Sequence, residues 1–242
     1  MLRPYARWMK IEELDWAETE WGTISLRRRH DRVTDKLVHE VKLDDDFLMS
    51  SQFTLGEEEV ARLGLAAVPG DRLRVLVGGL GLGYTAWTAI QDPRVHQLVV
   101  IEALPQVIGW HRSELFDDTR GLATDPRVQL VQDDFFDLVR SGRTEEPYDA
   151  LLIDIDHAPD WHLRSDHGDF YTELGLRSAA SMLLPHGVLS LWSDEPPESV
   201  FVAMLRTAFE HADAHVVTFA NPLTGGESTN TVYLGRGPRG AG

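Results

Sequence analysis

The sequence predicts an α/β fold: a mostly parallel seven-stranded sheet closed by an antiparallel C-terminal hairpin, with a small β-rich domain in front. Three observations predict it. From Leu73 onward, apolar β-branched runs alternate with helical stretches, as a parallel sheet covered on both faces requires. Before residue 70 the segments are short and alternate apolar with polar, as antiparallel strands do. Near the end, residues 215–222 and 230–235 form two strand-like runs across a short Gly-rich loop.

Each element follows from local pattern. Residues 21–27 (WGTISLR) and 37–43 (LVHEVKL) alternate, and 47–49 extend the second strand past an acidic turn at 44–46. Residues 57–67 read as a helix whose opening acids suit the positive end of its dipole. Pro69-Gly70-Asp71 marks a boundary, so a small N-terminal domain is expected over 1–70. Strands are expected at 73–78, 97–102, 127–132, 149–155 and 187–192, and helices near 84–90, 105–115, 135–139, 170–184 and 199–210. The main domain therefore runs over 71–235, and the RGPRGAG tail (236–242) is expected to be disordered.

Composition excludes several classes. The 242 residues hold 23 basic and 39 acidic side chains, a formal charge of −16, and no cysteine. A disulfide scaffold, a thiolate metal site and a cysteine nucleophile are ruled out. Phosphate backbones need a basic surface, so nucleic acid is not the expected partner. The first stretch is broken by charges, and no apolar run is long enough to span a bilayer, so a cytoplasmic protein without membrane association is expected.

The strongest local signal is VLVGGLGLGYTAW (75–87), an apolar strand running through Gly79, Gly81 and Gly83 into a helix that begins at Tyr84. Such glycines let the chain turn tightly and a ligand approach the backbone. Glu102 ends the next strand, where a carboxylate can accept from ribose hydroxyls; Asp133 and Asp134 end the third, where one can meet an adenine amino group. These features lie at the carboxyl ends of consecutive strands and point to a nucleoside. The G-x-G-x-G spacing and the closing hairpin favour an S-adenosyl ligand over a dinucleotide.

The fourth strand leads into the densest polar cluster, residues 153–171. Asp154, Asp156 and His157 are the candidate catalytic groups: an ammonium must lose a proton before it can attack an activated carbon, and histidine titrates near neutral pH. His157, His162 and His167 recur every five residues, which does not put them on one helical face, and no metal is expected. Tyr84, Trp110, Trp161 and Trp192 fall near strand ends or helix starts, where an aromatic face can receive a cation. Residues 193–197 are expected in the wall of an acceptor pocket. Twelve acids against three arginines between Asp133 and Glu173 concentrate negative charge in this region.

With these residues in view, the sequence resembles the spermidine synthase-like branch of the S-adenosylmethionine-dependent methyltransferase superfamily. The resemblance is carried by residues 78–83, by Glu102, by Asp133 or Asp134, and by the run from Tyr148 to Pro159. The segment from Gln52 to Glu58 echoes the family's Q-x-T-x-x-D-E. The resemblance implies a Rossmann-like methyltransferase fold, an S-adenosyl ligand on Gly79, Gly81, Gly83, Tyr84, Glu102, Asp133, Asp134 and Gln52, and Asp154 as the catalytic acid. It also implies a homodimer. Two departures stand out: Gly81 occupies the place of the family's loop aspartate, and Ala61-Arg62-Leu63 replaces its Tyr-His-Glu. Both losses fall on the aminopropyl side. The expectation is therefore an S-adenosyl-L-methionine-dependent methyltransferase acting on a small-molecule acceptor such as a cationic amine. The alternative is an aminopropyltransferase using decarboxylated S-adenosylmethionine, or aminocarboxypropyl transfer from the same donor.

Overall fold

The structure, a computed structural model, describes residues 11–142 and 144–240. The chain divides into two compact units. One runs up to Thr54 and includes Ala220–Glu227; the other holds Leu55–Phe219 and the chain from Ser228. The division falls before the first helix, whereas the sequence reading placed it after that helix.

The first unit carries a four-stranded meander in the order β1 (Glu12–Thr19), β2 (Gly22–Asp31), β3 (Lys36–Leu43) and β4 (Asp46–Ser50), antiparallel throughout. Ile24, Leu26, Val38 and Val41 are fully buried. Glu40, also buried, accepts from the Nε atoms of Arg27 and Arg29, each at 2.7 Å. The sequence reading had no β1. This edge strand reads EELDWAET and has no fully buried position, so its place comes from backbone pairing with β2 and leaves no apolar alternation.

The second unit contains the seven-stranded sheet. Its strands are β5 (Leu73–Gly78), β6 (Val95–Glu102), β7 (Val128–Gln132), β8 (Tyr148–Ile153), β9 (Leu183–Ser193), β10 (Phe209–Asn221) and β11 (Gly226–Pro238), arranged β10-β11-β9-β8-β5-β6-β7. The pairings from β7 through β9 are parallel, and β11 runs antiparallel to β9. The central strands are apolar on both faces, with Val75, Leu76, Leu98, Val100, Leu151 and Leu152 excluded from solvent. Each such side chain contributes about 1.5–3 kcal/mol.

The helices are α1 (Leu55–Ala66), α2 (Tyr84–Gln91), α3 (Pro105–Arg112), α4 (Phe135–Ser141), α5 (Glu173–Ser181) and α6 (Ser199–Ala208). α3 stops early because Glu114 adopts a left-handed φ of 53°. α5 begins late because Thr172 caps it, its hydroxyl accepting from Gly175 N. The expected disordered tail is corrected in part. Residues 236–238 extend β11, Arg236 pairs with Asp213 at 2.7 Å, and Arg239 N donates to Ala208 O. Ala241 and Gly242 lie outside the described residues. No helix among the described residues is long and apolar enough to cross a membrane.

Candidate functional site

β5 delivers the Gly-rich loop at its carboxyl end. Gly79, Gly81 and Gly83 have φ of 87°, 48° and 90°, a region that L-residues with side chains avoid. At Gly79 a Cβ would collide with the backbone oxygen of Asp154, and at Gly83 it would sit 2.6 Å from the His111 ring. The loop is thus pressed between β8's exit and α3. His111 Nε2 donates to Gly81 O at 2.9 Å, which fixes its tautomer. Burial pushes the imidazole down to about 4, so it supports the loop as a neutral ring.

Glu102, at the end of β6, completes the cradle. One carboxylate oxygen accepts from Leu80 N at 3.0 Å and the other from Leu104 N at 2.9 Å. Burial raises its pKa while these amides pull it back. The amides of Gly81 and Ala103 also favour its charged form. The neighbouring acids of β7's exit divide. Asp134 caps α4, accepting from Phe136 N and Asp137 N; Asp133 is exposed, turned to the Asp134 amide. Tyr84 donates its hydroxyl to Asp118 at 2.9 Å. Gln52 lies in the first unit, where its Nε2 donates to Thr34 Oγ1 at 2.9 Å and its buried Oε1 has no partner.

Asp154 leaves β8 with its amide on Gly78 O at 2.9 Å. Its Oδ2 lies 2.8 Å from the Thr85 hydroxyl, which is also 3.0 Å from the backbone oxygen of Glu57. α1 reaches this place because it packs across the sheet, tied by Ser190 Oγ donating to Val60 O at 2.8 Å. Burial, and then the charge of Asp154, pushes the Glu57 carboxyl upward; burial does the same to Asp154, opposed by the Thr85 hydrogen bond. Among the described residues no lysine, arginine or histidine pairs with either carboxyl, although the adjacent Glu58 is bound by Arg62. Thr85 and the pairing of Glu57 with Asp154 were not singled out from sequence. A hydroxyl two residues beyond Gly83 and an acid opening α1 were the only local signals.

The other two candidates after β8 have different surroundings. Asp156 is buried and accepts from Leu163 N at 2.7 Å, His167 Nδ1 at 2.8 Å and the Tyr171 hydroxyl at 3.0 Å. His157 packs its ring on Trp161 at 4.6 Å, and its backbone oxygen accepts from Asp194 N. His162 stacks on Tyr171 at 4.8 Å, so the three histidines of this loop face three different partners. Trp110 is buried, whereas Trp161 is exposed. Trp161 joins Asp160, Glu195, Pro196, Pro197 and Glu198 around an open pocket of about 520 Å³.

No protein-family model matches the chain. It is 30% identical over 131 residues to the polyamine aminopropyltransferase of Mycobacterium tuberculosis, a match covering 54% of this chain and 24% of that protein. It is 28% identical over 156 residues to the polyamine aminopropyltransferase of Nitrosomonas europaea, covering 64% and 46%. The match thus spans less than half the length of these curated relatives. A solved spermidine synthase, in complex with the transition state analogue AdoDATO, superposes with a TM-score of 0.71 at 19% identity over 96% of this chain and 75% of that one. The chain is similar in fold to spermidine synthase. Its sheet order and small N-terminal sheet are those of the Rossmann-like fold expected for this branch. The expectation of methyl transfer is corrected here: these two relatives and the fold neighbour carry the names of the aminopropyl alternative.

Proposed function

We propose that this protein is an aminopropyltransferase that moves the aminopropyl group of decarboxylated S-adenosylmethionine onto a small cationic amine of polyamine type. The carrying observation is the pair Glu57 and Asp154, two carboxyls beside the Gly-rich loop with no basic partner among the described residues. Such a pair is costly in a ligand-free fold and is relieved by a cation. The names of the relatives support the same reading.

The residues present fit the donor. Glycines at 79, 81 and 83 let the loop turn with positive φ at the end of β5, the Glu102 carboxylate stands at the end of β6 where ribose hydroxyls would lie, and the exposed Asp133 can meet an adenine amine. When bound, the donor supplies a sulfonium-activated carbon and an ammonium. Glu57 and Asp154 set their negative charge against those cations. Asp154 then accepts a proton from the acceptor's ammonium, which frees the nitrogen lone pair for attack. The acids Asp160, Glu195 and Glu198 and the exposed face of Trp161 offer charge and an aromatic surface to the far end of such an amine.

The acid pair also sets donor choice. The carboxylated donor would bring a third negative group toward two acids that already repel one another. Calorimetry with both donors side by side tests this. The decarboxylated form is expected to bind at least about tenfold tighter, a difference of about 1.4 kcal/mol. Preference for the carboxylated form overturns the reading, as does binding of neither.

A further inference from the structure

We propose that the Thr85 hydroxyl is a positioning residue for Asp154, serving both protonation states of its carboxyl so that it can take the acceptor's proton without rearrangement. The proposal rests on the function proposed above. Nothing in the Gly-rich pattern itself asks for a hydroxyl at this place.

The geometry is a matter of counting hydrogens. Thr85 Oγ has one hydrogen and stands within reach of two oxygens, Asp154 Oδ2 at 2.8 Å and Glu57 O at 3.0 Å. Thr85 is buried, so water does not take up the remainder. A backbone carbonyl only accepts. With Asp154 ionised, the hydroxyl donates to the carboxylate and holds its rotamer. When an ammonium N–H bond breaks and its proton forms an O–H bond on Asp154, that new O–H can donate to Thr85 Oγ. The Thr85 hydrogen then turns to Glu57 O, and the chain from carboxyl to hydroxyl to carbonyl is complete. Two hydrogens turn, the new one about Cγ–Oδ2 of Asp154 and that of Thr85 about Cβ–Oγ; no heavy atom moves. After product leaves, the proton passes to solvent from Asp154, which is partly exposed.

The charged groups that face Asp154 all act in one direction. Glu57 on α1 interacts with it directly, and Glu58 and Asp194 add negative potential at Glu57. With no cation nearby among the described residues, the hydroxyl is the group that favours the ionised form. A hydrogen bond to a charged acceptor is roughly twice as strong as a neutral one, so loss of the hydroxyl shifts the titration of Asp154 upward.

Three variants decide the matter: Thr85→Ser keeps the hydroxyl, Thr85→Val keeps the shape, and Thr85→Ala keeps neither. Val and Ala are expected to lower kcat by roughly ten- to a hundredfold while donor affinity stays within about threefold. The acidic limb of the kcat/KM profile should move to higher pH in both and stay in place in Ser. The proposal is overturned if the Val or Ala variant turns over like the parent, if Ser is as impaired as Val, or if the loss lies in donor affinity. If Val does not fold, Ala against Ser carries the comparison. Should the parent transfer no aminopropyl group, the function fails separately, and the Asp154 titration followed by carboxyl-carbon NMR still tests Thr85. A midpoint that stays put in Ala and Val would sink it.

Discussion

Asp154 and Asp156 leave the same strand end two residues apart, and their surroundings differ in kind. Among the described residues Asp154 has one side-chain hydrogen-bond donor, the Thr85 hydroxyl, and a second carboxyl for company. Asp156 is saturated by an amide, an imidazole and a phenol, and pins the loop from Leu163 to Tyr171. The negative charge of Asp156 is spent within the fold. That of Asp154 and Glu57 is held in reserve for a ligand. The same contrast recurs at β7, where Asp134 caps a helix and Asp133 is left exposed. Adjacent carboxylates at a ligand edge thus divide into those that build the edge and those that face it.

Substitutions should separate these roles, and the largest effect belongs to Asp154. Asp154→Asn should lower turnover by about 10²–10⁴-fold with donor affinity nearly intact, measured by steady-state kinetics alongside calorimetry. Unchanged turnover would show Asp154 to be structural. Asp156→Ala should behave in the opposite way. It strands the His167, Tyr171 and Leu163 donors in a buried site, so a loss of about 2–4 kcal/mol is expected, or a drop in Tm of roughly 5–15 °C by thermal melt.

The smallest effect, with the reverse sign, belongs to Glu57. A carboxyl raised in the folded state binds more protons folded than unfolded. Its contribution therefore costs stability as pH rises from the ordinary 4.5 through about 8. Glu57→Gln should be more stable than the parent above that range, by about 1–2 kcal/mol, with the difference vanishing in acid. The same change should weaken binding of the decarboxylated donor. Equal melting curves for Glu57→Gln and parent at alkaline pH would show that the pair is not repulsive.

Much of this was legible because it is local. The glycines that turn after β5 and the acid ending β6 are each fixed by a few neighbouring residues, and they stand where the pattern put them. So do the apolar strands of the sheet. β1 was not legible, since a polar edge strand is specified by its partner. The two acids in Asp133-Asp134 read alike, and only the capping geometry of α4 tells them apart. Glu57 and Glu58 also read alike, yet Arg62 takes Glu58 and leaves its neighbour.

By itself the sequence determined the order of the elements, the Gly-rich turn and the acids at the ends of the parallel strands, because short-range periodicity and backbone stereochemistry dictate them. Only the tertiary structure decided which carboxylates are neutralised. That depends on α1 and α2 packing against the exit of β8, which brings Glu57 and Thr85 to Asp154 across long stretches of chain. Burial there turns an ordinary acid into one that a cation must satisfy.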